Sequence, residues 1–128
     1  MYSRFAEIIT NVDTRYPNEA SMAEKISALD TLERQIYREI VVTHDGADEV
    51  ETFITGDGHI NYDDPTIAPD EFHDMYEYYV EAIIAQRYGE TARYNNAASA
   101  FNTRYNAFQN YWNRTHTPLQ KAGYLKVM

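Results

Sequence analysis

Seven carboxylates, Asp45, Asp48, Glu49, Glu51, Asp57, Asp63 and Asp64, fall between positions 45 and 64. Such a density raises the question of a hard cation. A calcium loop needs oxygen ligands at alternate positions, a glycine at its turn and a bidentate Glu at a set distance. Neither DGADEVE nor GDGHINYDD has that order. The stretch reads as a solvated acidic segment, and no metal or cofactor is assigned. His44, His59, His73 and His116 include no pair at the i, i+4 spacing of a helical zinc site. His73 is expected to decorate the first turn of a helix. His116 should sit at the last turn of another, where positive charge is favoured. The turn Gly56-Asp57-Gly58 is too short to cradle a phosphate, and the chain has no cysteine and no nucleophile elbow. No catalytic constellation emerges, so a non-enzymatic role is expected.

Chemistry of another kind is concentrated near the end of the chain, in YNNAASAFNTRYNAFQNYWNRTHTP. Tyr94, Ala98, Phe101, Tyr105, Phe108 and Trp112 recur in steps of four and three, the seam of an amphipathic helix. The other face carries Asn95, Asn102, Asn106, Gln109, Asn110 and Asn113 where Glu and Lys are usual. Asn costs a helix up to about 0.7 kcal/mol against Ala, so six such residues give up about 3–4 kcal/mol. Amides are cheaper to bury than charges once they find hydrogen bonds. The face is therefore either solvated or a subunit interface, with Asn95, Asn102, Asn106 and Asn110 as its candidates. Tyrosine numbers twelve. By spacing, Tyr76 and Tyr79 face the core, whereas Tyr78 and Tyr111 leave it and join the interface candidates, because Tyr is enriched at protein contacts. The alternative is that the tyrosines finish an aromatic core.

These residues need elements to position them. Phe5, Ile8, Ile9 and Val12 predict a helix over 2–14, stopped by Pro17. Ser21 and Glu24 form a capping box for a second helix. Its apolar side is Met22, Ile26, Leu29, Leu32, Ile36, Tyr37 and Ile40, running to about Val42. Residues 44–64 form an acidic loop or a small β-hairpin turning near Gly56–Gly58. Being exposed, this excursion should tolerate shortening. Asp70 can cap a third helix with Phe72, Met75, Tyr76, Tyr79, Val80, Ile83 and Tyr88 on its buried stripe, and Gly89 suits its left-handed end. The amide-faced helix covers about 90–115, and Pro118 ends regular structure. The fold class is all-α: a four-helix bundle, one domain over 1–118, with the 44–64 insertion between helices 2 and 3 and an extended tail, 119–128. Leu119, Tyr124, Leu125 and Val127 in that tail have no helical period and are expected to be ordered by a partner.

At 128 residues the chain can bury a real core. No apolar run reaches the roughly 18–20 residues that cross a bilayer, and MYSRFAEIITNVD lacks a signal peptide's apolar stretch. A soluble, intracellular protein is expected. The net charge of −9 disfavours ordinary nucleic-acid binding. No Lys or Arg lies between Arg38 and Arg87, while residues 39–86 hold 13 of the 20 acids. After Glu90 come Arg93, Arg104, Arg114, Lys121 and Lys126 with no acid. Either the tail is basic without consequence, or one copy's basic end meets the acidic part of the next.

The order MYEYYVEAIIAQRYGETARYNNAASAFNTRYNAFQNYWNRTHTP resembles the C-terminal half of the head–tail connector (adaptor, head completion) proteins of long-tailed bacteriophages and prophages. TRYPNEASMAEKISALDTLERQIYREI is similar to that family's opening. The likeness covers about 5–42 and 65–118, and the 44–64 stretch matches nothing specific. It implies a structural ring, usually of twelve copies, docked below the portal protein. Packaged DNA passes through the lumen, and the far side receives the next neck or tail protein. The ring would be assembled in the host cytoplasm and located in the virion neck. In that family the C-terminal extension reaches toward the portal, which makes Leu119, Tyr124, Leu125 and Val127 portal-contact candidates. The competing class is a small cytoplasmic helical binding module, cation-regulated through its acidic loop.

Overall fold

The apolar periodicities translate into helices close to the expected bounds. The computed structural model describes residues 2–46, 60 and 64–118. Among them, α1 spans Phe5–Arg15, α2 Met22–Ile36, α3 His73–Arg87 and α4 Thr91–Thr115. Ser21 and Glu24 do form the reciprocal cap of α2. The Glu24 N–H donates to Ser21 Oγ at 3.1 Å, and the Ser21 N–H donates to Glu24 Oε1 at 2.8 Å. Gly89 carries φ +77° between α3 and α4, a conformation that costs glycine little.

Four elements were not expected. Tyr2–Arg4 is a strand, β1, that pairs antiparallel with β2, Pro65–Pro69, joining Tyr2 to Pro69 and Arg4 to Pro65. The first helix therefore begins at Phe5 rather than residue 2. Pro65 and Pro69 sit at the two ends of β2, where a missing N–H is tolerated. Asp70 opens a 3₁₀ turn, Asp70–Phe72, instead of capping α3 directly. A π-helical turn, Tyr37–Val41, prolongs α2. Its wider winding turns the helix face by one residue, so Ile40 and Val41 are both buried and Val42 is left exposed.

Helix α3 is the axis of the bundle. α1 and α2 pack against it and touch each other, whereas α4 packs almost wholly on α3. Phe5, Ile8, Ile9, Leu29, Leu32, Ile36, Met75, Tyr76 and Phe108 are fully buried between them. The stripe expected on α3 needs correction at one end, since Tyr88 is 49% exposed and Ile84, not Ile83, is the buried member. Met22, placed on the apolar side of α2, is also largely exposed. The insertion is not wholly outside the core either. Ile60 is 3% exposed within the main cluster, and its N–H reaches Asp30 Oδ1 at 3.4 Å. The expected hairpin about Gly56–Gly58 and the tail 119–128 lie outside the described residues.

Candidate subunit interface

The 25 residues of α4 divide into two faces. Tyr105, Phe108 and Trp112 are buried, while Tyr94, Ala98 and Phe101 are half-buried. Phe108 meets Phe72 edge-on at 5.3 Å, and Phe101 lies 5.2 Å from Tyr79, ring centre to ring centre. Such aromatic pairs add about 0.5–1.5 kcal/mol each beyond their area. The Tyr105 hydroxyl donates to Glu39 Oε1 at 2.9 Å, and burial raises its pKa.

The opposite face presents Asn95, Asn102, Asn106 and Asn110 to solvent. None of the four has a side-chain hydrogen bond among the described residues. Asn113 is exposed too but has a role inside the chain. Its Oδ1 lies 2.6 Å from Nε2 of His44, whose Nδ1 contacts the Ile40 carbonyl at 2.7 Å. Beside it, the Asp45 N–H donates to the Thr117 carbonyl at 2.7 Å and His44 bridges to Pro118. His116 caps the helix end, stacked on Trp112 at 3.9 Å.

Tyr78 and Tyr111 stand differently from the asparagines. Tyr78 is half-buried with the Arg15 guanidinium 5.4 Å from its ring centre. Tyr111 lies against Phe72, at 5.3 Å, and Phe108, at 6.4 Å, so it borders the core. Both rings are half-buried, so less of each is open to a partner than of the asparagines. Leu119, Tyr124, Leu125 and Val127 lie outside the described residues.

The basic end of the chain is less free than its sequence suggests. Arg93 Nη1 pairs with Glu81 at 3.0 Å and its Nε with Glu90 at 3.4 Å, while its guanidinium lies 4.0 Å over Tyr16. Arg104 pairs with Asp74 at 3.0 Å and donates to the Glu71 carbonyl. Arg114 is the member of the described trio with no ion pair among the described residues. The excess of positive charge along α4 is thus largely neutralised by the acids of α3 within the same chain.

Sequence reasoning missed the charged layer beneath. Glu77 is 3% exposed and accepts from Asn11 Nδ2 at 2.9 Å, Arg15 Nη1 at 3.1 Å and His73 Nδ1 at 2.6 Å. The bond to Glu77 raises the pKa of His73. Glu81, one turn on, takes Arg15 Nη2 at 2.8 Å as well as Arg93. A cleft of about 410 Å³ opens beside this layer, lined by Ala6, Glu7, Thr10, Asn11, Asp70 and His73. His73 and Glu77 could pass a proton there. Glu77 already accepts from three donors, and no group of three metal ligands occurs among the described residues.

The chain was compared with protein-family models, with curated proteins and with solved structures, and none of the three gave a match. No helix of the described residues is long and apolar enough to cross a membrane.

Proposed function

We propose that the chain is a non-enzymatic structural subunit that rings up with copies of itself, of the head–tail connector kind its sequence resembles. One observation carries this reading: the exposed, uncharged amide face of α4, whose Asn95, Asn102, Asn106 and Asn110 side chains have no partner among the described residues. A face that sacrifices helix propensity without gaining charge is suited to burial against a neighbour, because amides both donate and accept. Helix α4 packs chiefly on α3, so its amide face and the outer faces of α1 and α2 belong to different elements of the protomer. A contact between the two on successive copies is heterologous, and it closes into a ring when the rotation allows.

In this reading about twelve copies assemble in the host cytoplasm and dock beneath the portal protein in the virion neck. The next neck or tail protein binds the far side, and packaged DNA passes through unread. The net charge of −9 suits a conduit, since acidic walls repel phosphates. The test is assembly of an Asn102→Glu, Asn106→Glu double variant. Both positions are exposed in the protomer, so its stability should stay within about 0.5 kcal/mol. Ring formation, followed by light scattering with portal protein present, should be lost, because unpaired charge would be buried. Normal rings from the variant would sink the reading. A particle that stays small and changes with calcium would favour the regulatory module instead.

A further inference from the structure

Glu33 is the most deeply buried charged-type side chain described, at 1% exposure, and no cation pairs with it among the described residues. Its two oxygens both serve β2. Oε2 accepts the Ile67 N–H at 2.7 Å. Oε1 lies 2.7 Å from the Tyr76 hydroxyl, which in turn accepts the Ala68 N–H at 3.0 Å. The Thr66 hydroxyl interacts with Tyr76 and donates to the Ala68 carbonyl at 2.7 Å. Two successive N–H groups of β2 therefore rest on side chains of α2 and α3.

The groups facing the carboxyl are few. From α2 comes Asp30, itself paired with Arg34; from α3 comes Tyr76; the buried part of β2, Thr66 to Ala68, brings no charge. With a proton on Oε1 the carboxyl carries no charge and keeps both of its partners. Glu33 then donates to the Tyr76 oxygen, which still accepts the Ala68 N–H, while Oε2 keeps the Ile67 N–H. When that proton leaves to solvent, the Tyr76 O–H turns back to Glu33, and a charge held by two neutral donors and no cation is left in an apolar interior.

We propose that Glu33 is a proton-operated clasp on β2: protonated, it holds the strand shut on the bundle, and as the proton is given up the strand opens to water more often. Burial pushes the carboxyl pKa up to about 8 from an ordinary 4.5, with Asp30 adding to the rise. Between those values the closed form keeps a proton that the opened form loses. Opening therefore becomes easier as pH rises across that window and levels off above it.

Hydrogen exchange of the Ile67 and Ala68 amides, corrected for base catalysis, tests the clasp. The opening constant should rise up to about tenfold per pH unit between pH 5 and 8. In Glu33→Gln, which copies the neutral form, it should stay flat. Carbon NMR of the wild-type Glu33 carboxyl should show a midpoint near 8. A midpoint near 4.5, or β2 amides whose opening does not change with pH, overturns the proposal. Should the Gln variant fail to fold, the two wild-type measurements decide.

Discussion

Glu77 and Glu81 carry charge into the bundle one helical turn apart, and Arg15 spans both. Removing one partner of a buried pair leaves an uncompensated charge, which typically costs 3–5 kcal/mol. Because the Arg15 side chain is 41% exposed, water screens part of the loss. Arg15→Ala should therefore cost about 3 kcal/mol in urea unfolding at neutral pH, and a loss below about 1 kcal/mol would show that Asn11, His73 and Arg93 suffice. His73 adds a pH dependence. Its raised pKa means that its pairing with Glu77 stabilises fully below the ordinary histidine range and is lost as pH rises through the raised value.

At the scale of elements, Ile60 decides how the insertion behaves. Truncating a buried Ile to Ala typically costs 2–5 kcal/mol. Ile60→Ala should therefore lower the melting temperature about as much as replacing 46–62 by a short Gly/Ser link. A replacement of 47–59 alone should be nearly neutral, and differential scanning calorimetry of the three variants separates these outcomes. The four helices were legible because each has an apolar stripe of period 3.6 and a recognisable stop. The β1–β2 pair was not, because three residues of β1 beside a proline-bounded strand offer no alternation to count. Glu33 was legible in hindsight: Leu29, Glu33, Ile36 and Ile40 keep the same steps of four and three as the stripe around them. The same period places Asn95, Asn102, Asn106 and Asn110 opposite the buried seam of α4, where they are exposed in the protomer. The quenching of Arg93 and Arg104 was not legible, since it depends on which helix lies alongside.

At the scale of the whole molecule, the connector reading gives the tail its own expectation. Leu119, Tyr124, Leu125 and Val127 follow the last described residue, Pro118. Deleting 119–128 should leave helical circular dichroism and melting temperature nearly unchanged while abolishing capture by immobilised portal rings. Retained capture would remove the tail from that contact, and unfolding would place it in the core. The junction beside Pro118 adds a mechanical consequence. The Asp45 N–H on the Thr117 carbonyl and His44 against Asn113 rivet the end of α4 to the chain leaving α2. A pull along the C-terminal direction is thus shared between two helices at its first anchoring point. The load path enters the bundle through α2 as well as α4, so neither helix bears a pull on the end of the chain alone.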